Sequence, residues 1–205
     1  MLQSGLLVKM NSDEYISSKI DEAKIVVDQL KLNCSQEILD SATMIVECFK
    51  NGNKVLICGN GGSAADSQHF AAEFVSSFSR KFNRRSYPAI ALTSDMSIIT
   101  AYANDFSFDG VFARQVESLG QKGDILIVIT TSGTSRNCSI AVEQAKKQGL
   151  KTLALTKSGG EIAAKVDISI QVPSNDTQHI QEGHVISYHI IAGLVEELMS
   201  PGSAN

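Results

Sequence analysis

The sequence predicts an α/β protein, a three-layer α/β/α sandwich with a five-stranded parallel sheet, preceded by two N-terminal helices. From about residue 54 onward, strand-like and helix-like segments alternate, which is the pattern of repeated βαβ units. Two strand segments, 125–129 and 152–155, are apolar almost throughout, as expected of parallel strands that are buried on both faces. The chain has 205 residues, enough for one domain with a substantial core.

The two N-terminal helices are predicted because apolar residues recur at helical spacing in residues 13–32 and again in 36–51. Gly52 ends the second helix. Helices placed ahead of the first strand either pack on a partner subunit or cover the sheet, and the sequence leaves both possibilities open.

The other elements follow in order along the chain. We expect strands at 54–58, 88–92, 125–130, 151–155 and 167–172, and helices at about 63–79, 95–103, 108–119, 136–148 and 177–199. We also expect residues 1–12 to be a disordered lead-in, residues 13–200 to form a single domain, and the residues from Pro201 onward to be a frayed tail.

The composition argues against several classes of protein. The formal net charge is −4, and nucleic-acid binding favours clustered positive charge instead. The four cysteines are widely separated and form no CxxC pair, so we expect reduced thiols in a cytoplasmic protein. The apolar patch at the N-terminus is too short for a signal peptide. No apolar run approaches the roughly 20 residues of a membrane helix, so we expect no membrane partner.

The first candidate site is the glycine-rich turn after the first strand, Gly59-Asn60-Gly61-Gly62-Ser63. Free backbone N–H groups at the start of the next helix suit a phosphate or a polyol. The glycines give GxGxxA rather than the GxGxxG of a dinucleotide site, and no acidic residue ends the next strand. The turn therefore argues against a nicotinamide cofactor.

The second candidate site follows the strand at 125–130. Four hydroxyl residues surround the start of the next helix: Thr130, Thr131, Ser132 and Ser135. Capping that helix needs only one hydroxyl. Hydroxyls and amides that converge at a helix N-terminus can bind the oxygens of a phosphate without any lysine. Because ligands of such sheets bind outside the carboxyl ends of the strands, we favour anion binding over capping alone.

The third candidate site consists of titratable side chains. His69 and Glu73 are four residues apart, so they share one face of a helix and can meet a metal ion or a reacting carbon. Three of the four histidines lie in the C-terminal helical segment, and the last of them, His189, has apolar neighbours. A single His–Glu pair, or a single histidine among apolar neighbours, is usually structural. Together, however, these residues favour a shared functional site.

In combination these motifs resemble the sugar isomerase (SIS) domain family and, within it, the sedoheptulose 7-phosphate isomerases. The resemblance covers about residues 13 to 199. The matching pieces are Gly59–Ser63 with Asp66, Gln68–Glu73, Ala103–Asp105, Thr131–Ser135, and Ile180–His184 with His189.

The resemblance implies a sheet order of the flavodoxin type and a homotetramer with active sites between subunits. It implies interconversion of sedoheptulose 7-phosphate and D-glycero-D-manno-heptose 7-phosphate, the first step of ADP-heptose synthesis for lipopolysaccharide. In this family the acid–base pair falls on Glu73 and His189. A zinc site, present in some members, falls on His69, Glu73, Gln181 and His189.

The same resemblance assigns substrate contacts. The phosphate-binding hydroxyls fall on Thr130, Thr131, Ser132 and Ser135. The other substrate contacts fall on the Asn60-Gly61-Gly62-Ser63 turn, on Asp95 and on Gln181. One departure from the family pattern is Thr130, where a serine is more common. Another is Gln178-His179, since an arginine commonly precedes Ile180.

The reaction implied by the resemblance moves a proton between adjacent carbons through an enediol, and it needs an acid and a base at the C1–C2 unit. A carboxylate and an imidazole suit these roles near neutral pH. Zinc would polarise the substrate oxygens as a Lewis acid. Gln181 and His189 are about 12 Å apart along one helix, so we predict that they reach a common site from different subunits.

Three other functions remain open from the sequence. Some proteins with this fold bind the bacterial replication initiator without catalysis, but they lack the acid–base pair that Glu73 and His189 provide here. A sugar-phosphate-sensing regulator would carry a DNA-binding segment, and no basic helix-turn-helix region is evident. An isomerase acting on another phosphosugar would differ only in contacts that the sequence places poorly.

Overall fold

The computed structural model describes residues 11–79, 81 and 83–200. Most of the predicted lead-in and the whole predicted tail lie outside the described residues. The elements, in chain order, are α1 (Ser12–Lys50), β1 (Val55–Gly59), α2 (Gly62–Val75), β2 (Ala89–Ala91), α3 (Met96–Asp105), α4 (Val111–Leu119), β3 (Ile125–Thr130), α5 (Arg136–Lys147), β4 (Lys151–Lys157), β5 (Ile168–Val172) and α6 (Thr177–Met199).

In the described part of the chain the five strands form one parallel sheet in the order β2-β1-β3-β4-β5. This order confirms the predicted flavodoxin-type arrangement. After β1 the chain forms β2 on one side of β1, and it then crosses to form β3 on the other side. Gly59 at the end of β1 pairs with Ile129 near the end of β3. The two predicted ligand-binding turns therefore leave the sheet side by side, at the switch point where such folds bind ligands.

Helices cover both faces of the sheet, which confirms the three-layer prediction. In β3 the side chains of Ile125, Ile127 and Ile129 join the apolar core beneath α1, α2 and α6. Leu126 and Val128 join the core beneath α4 and α5. All six residues of β3 are buried, because side chains alternate between faces along a strand and both faces are covered.

The prediction of two N-terminal helices is wrong, because residues 12–50 form one continuous helix of 39 residues. The chain contains no glycine or proline between these limits, so nothing in the backbone forces a break. Buried positions recur every four residues through the predicted gap, at Val26, Leu30, Cys34 and Ile38. The Cys34 thiol, which lies in that gap, donates to the Gln171 carbonyl of β5 at 3.4 Å.

Several other boundaries differ from the prediction. The helix predicted over 63–79 ends at Val75, and a short 3-10 helix, Phe108–Gly110, precedes α4. A second 3-10 helix, Glu161–Lys165, stands between β4 and β5. In α2 the end is set by distant groups: the Phe74 carbonyl accepts from Tyr87 N at 3.1 Å instead of continuing the helix.

Among the described residues, no helix combines the length and apolar character that a membrane span requires. The expected absence of a membrane partner and the expected cytoplasmic location stay predictions.

Candidate active site

The turn after β1 needs glycine where it leaves the sheet. A Cβ on Gly59 would lie 2.7 Å from the Ser63 carbonyl oxygen and 2.8 Å from that of Ile129, so any larger residue would push the two turns apart. Gly61 has a φ of 57°, a conformation that side chains disfavour. These glycines place the first amides of α2 beside the end of β3.

The two turns are tied together by a pair of amide side chains. Asn60 Nδ2 donates to Asn137 Oδ1 at 2.9 Å, and Asn137 Nδ2 donates back to Asn60 Oδ1 at 2.8 Å. Asn137 is buried in the first turn of α5. The family resemblance assigned Asn60 to sugar binding, and Asn137 was not predicted. Their reciprocal bonds show that Asn60 also fixes the spacing between the two turns.

Three of the predicted phosphate-binding hydroxyls form a compact group, which we call the hydroxyl trio: Thr130, Ser132 and Ser135. Thr130 Oγ1 lies 2.9 Å from Ser135 Oγ and 3.3 Å from Ser132 Oγ, and the two serine oxygens are 3.4 Å apart. Thr131 is beside the trio in the chain. Ser135 stands at the N-cap of α5, yet its side chain makes no capping bond to the described residues. The capping interpretation therefore does not account for Ser135, and the trio has the form of an anion site.

His69, Glu73 and His189 converge from two helices, and we call them the acid–base cluster. His69 Nε2 lies 2.9 Å from Glu73 Oε1 and 3.4 Å from His189 Nε2. Ligand atoms of all three residues lie within 4.8 Å of one another. The structure thus brings together, within one chain, three residues that the sequence singled out from positions up to 120 residues apart.

The surroundings of His189 favour its neutral form. Burial lowers the pKa of His189 and the neighbouring His69 lowers it further, whereas Glu73 acts in the opposite direction. A neutral imidazole has a free nitrogen lone pair, which can accept a proton or bind a metal.

Tyr188 orients the cluster and was missed by the sequence reasoning. It is fully buried, and its hydroxyl lies 3.0 Å from His69 Nδ1. Burial raises the pKa of Tyr188 to about 12, so the phenol keeps its proton. Because the Glu73 carboxylate can only accept, a neutral His69 carries its proton on Nε2 and accepts from Tyr188 at Nδ1.

The predicted site residue Gln181 contacts α2 one turn before the cluster. Its Nε2 donates to Asp66 Oδ2 at 2.9 Å. Burial raises the pKa of Asp66, while the bond from Gln181 opposes that shift. The prediction that Gln181 and His189 reach one ion from different subunits stays a prediction; within this chain both residues contact α2, at Asp66 and at His69.

The acid–base cluster fits a zinc ion by the chemistry of its donors. Two imidazole nitrogens and one carboxylate oxygen are a common zinc ligand set, and all three are within reach of one point. In such a set Tyr188 would accept a hydrogen bond from His69 Nδ1–H, the kind of outer contact that orients metal-binding histidines.

Asp95, the remaining predicted substrate contact, stands at the N-cap of α3. Its carboxylate accepts from Ile98 N at 3.0 Å, and the residue is exposed. Asp95 therefore has a structural role as a helix cap, and its predicted contact with the sugar stays a prediction.

The other two histidines of α6 have structural surroundings. His179, at the departure from the family pattern, lies 2.8 Å from Glu182 and 3.3 Å from Glu22, so it joins α6 to α1. His184 is fully buried, and its ring nitrogens have no hydrogen-bond partner among the described residues. Burial lowers the pKa of His184 to about 4, which keeps it neutral.

Comparison with known proteins decides the family. The model of the SIS domain matches residues 20–157. A phosphoheptose isomerase of Citrifermentans bemidjiense is 48% identical over 83% of this chain and 88% of its own length. A phosphoheptose isomerase of Aliarcobacter butzleri is 51% identical over 80% of this chain and 87% of its own. The chain belongs to the SIS domain family, among the phosphoheptose isomerases. The resemblance stated from the motifs is thereby confirmed.

Solved structures agree with this family. The structure of a phosphoheptose isomerase from Francisella tularensis has a TM-score of 0.87 and 38% identity, covering 92% of this chain and all of that one. The NanR protein of Vibrio vulnificus, solved in complex with ManNAc-6P, has a TM-score of 0.55 and 13% identity, which shows a shared SIS fold alone. Since the fold occurs in a protein so distant in sequence, function must be argued from the site.

Proposed function

We propose that this member of the phosphoheptose isomerases interconverts sedoheptulose 7-phosphate and D-glycero-D-manno-heptose 7-phosphate through an enediol. The observation that carries the proposal is the convergence of His69, Glu73 and His189 in a chain that also forms the hydroxyl trio after β3. The names of the close relatives supply the substrate. The trio and the first amides of α5 would hold the phosphate group, which leaves the opposite end of the sugar for chemistry.

In this mechanism Glu73 and His189 share the proton transfers. One removes the proton from the carbon next to the carbonyl, and the carbonyl oxygen gains a proton as the enediol forms. Returning a proton to the other carbon, and removing one from the other oxygen, completes the isomerisation. A carboxylate and a neutral imidazole suit these steps, and Tyr188 holds His69 beside them.

We also propose that His69, Glu73 and His189, with Gln181, hold one zinc ion. Bound zinc would supply Lewis-acid polarisation of the substrate oxygens. Metal analysis of the purified protein, followed by turnover before and after chelation, would measure occupancy and dependence together.

We propose a homotetramer with composite sites. Large apolar side chains are exposed along α1, among them Ile16, Ile20, Ile25 and Leu32, and exposed apolar patches of this kind mark interfaces. Light scattering in solution would give the mass of four chains.

We further propose that the enzyme works in the cytoplasm, without a nucleic-acid partner, and that its product enters ADP-heptose synthesis for lipopolysaccharide.

The proposed function is tested by measuring how fast the wild-type protein converts each of a panel of phosphosugars. We expect sedoheptulose 7-phosphate to be converted with a kcat/KM at least tenfold above those of pentose and hexose phosphates. Preference for one of the shorter sugars would make the chain an isomerase of that substrate. No turnover of any sugar by folded protein would contradict the proposal and favour a binding function such as initiator binding.

A further inference from the structure

The buried side chain of Arg84, eleven residues after Glu73 in the chain, packs against the C-terminal end of α2. The last carbonyls of a helix have no partner within the helix. In α2, the Glu73 carbonyl accepts from Arg84 Nη2 at 2.7 Å, and the Phe74 carbonyl accepts from Arg84 Nη1 at 2.9 Å. A guanidinium at this end also complements the helix dipole. Arg84 therefore holds the backbone of Glu73 itself.

The same guanidinium is bound to α6. Arg84 Nε donates to Glu196 Oε1 at 2.7 Å, and both side chains are almost fully buried, at 6% and 2% exposed. Glu196 lies seven residues after His189, two turns along the helix and on the same face. One ion pair thus joins the helix that carries Glu73 to the helix that carries His189.

Glu196 also fixes the segment after α2. Its carboxylate accepts from the backbone N–H of Phe78 at 2.9 Å and from that of Ser79 at 3.0 Å. The Phe78 ring then packs near His189, with ring centroids 5.9 Å apart. A carboxylate paired with an arginine and two amides is bound through charge-assisted bonds with little freedom to shift.

We propose that Arg84 and Glu196 are positioning residues that set the placement of Glu73 relative to His189. The inference rests on the proposed isomerase activity. Neither residue belongs to the acid–base cluster; they act through the Glu73 carbonyl, the α2–α6 connection and the Phe78 contact. An ion pair that only stabilised the fold would change the amount of folded protein and leave the turnover of the folded fraction unaltered.

The chain offers a matched control beside the pair. Glu197, the next residue, forms an ion pair with Lys81 of the same segment at 2.6 Å, but that pair is exposed. Exposed ion pairs contribute little to the stability of the fold. Glu196→Gln and Glu197→Gln thus remove the same charge from adjacent positions, one buried in the connection and one in solvent. Arg84→Lys is a second test variant, because an ammonium cannot bridge two carbonyls and a carboxylate as a guanidinium does.

The experiment measures kcat and KM per folded protein for wild type and the three variants, with amide hydrogen exchange at Phe78 and Ser79. We expect Glu196→Gln and Arg84→Lys to lower kcat by about tenfold to a hundredfold, as small misplacements of reacting groups do, with KM within threefold. Exchange at both amides should accelerate in Glu196→Gln. Glu197→Gln should match wild type in every measurement.

Two outcomes would overturn the inference while leaving the function intact. One is an unchanged kcat in Glu196→Gln and Arg84→Lys although exchange at Phe78 and Ser79 has accelerated. The other is a loss of activity that disappears after correction for folded protein. A wild-type protein without turnover would refute the proposed function first and the positioning role with it, and that result is visible before any variant is made.

Discussion

At the scale of single residues, the orientation of the His69 ring is set by two neighbours of different character. Glu73 can only accept a hydrogen bond, while the Tyr188 phenol keeps its proton because burial raises its pKa to about 12. The ring of His69 lies between them at 2.9 and 3.0 Å. One imidazole is thereby held in a single orientation next to His189, which is the arrangement that acid–base chemistry requires.

The hydroxyl trio allows a prediction at this scale. We expect Ser135→Ala to raise KM for sedoheptulose 7-phosphate by about tenfold or more, because a lost hydrogen bond to a charged group costs about 1.5 to 3 kcal/mol. The kcat should stay within threefold, since Ser135 contacts the other trio hydroxyls and is not part of the acid–base cluster. Steady-state kinetics checks both values.

Ser139→Ala is the control for this substitution, because Ser139 lies one turn further along α5 and bonds Lys165 instead. An unchanged KM in Ser135→Ala, or a marked fall in Tm in its place, would show that Ser135 serves the helix rather than the phosphate.

The sequence could predict some of these residues and not others. His69 and Glu73 were found because helical spacing alone puts them on one face. Tyr188 and Asn137 were missed because their partners are 119 and 77 residues away, and no local pattern indicates such a contact. Arg84 belongs to the same class, since a surface arginine and a helix-capping arginine look alike in a sequence.

At the scale of elements, the informative error is the prediction of two helices where the structure has α1 alone. The predicted boundary lay between residues 32 and 36, where the two amphipathic stretches were separated, but the four-residue spacing of buried positions runs through this gap. Tertiary packing of a continuous apolar stripe outweighs the modest helix propensity of single polar residues.

The continuity of α1 through residues 33–35 predicts the effect of a proline there. We expect Ser35→Pro to destabilise the fold by about 3 kcal/mol or more, which corresponds to roughly 6 to 12 °C in Tm for a chain of this size. Calorimetry measures the shift. Ser35→Ala, which loses only an exposed hydroxyl bond to Lys31, should shift Tm far less. A proline tolerated without cost would restore the two-helix prediction.

At the scale of the whole molecule, strand order explains where the site is. Alternation of elements predicted a parallel sheet, and the order β2-β1-β3-β4-β5 sets the ends of β1 and β3 side by side. The amphipathic pattern of the helices could not reveal which apolar helix faces stay exposed in the single chain, where another subunit could cover them. In the single chain, apolar residues of α1 face outward on one side while its other side packs on α6 and β5.

The central claim is that Glu73 transfers a proton from substrate carbon through an enediol, and isomerisation in D2O tests it most directly. After many turnovers by wild type, we expect deuterium on the reacting carbon of the sugar, detected by NMR. Glu73→Gln should incorporate at least a hundredfold more slowly, whereas Glu117→Gln, on the exposed side of α4, should match wild type. Isomerisation without any deuterium uptake, or uptake by Glu73→Gln at the wild-type rate, would contradict the account.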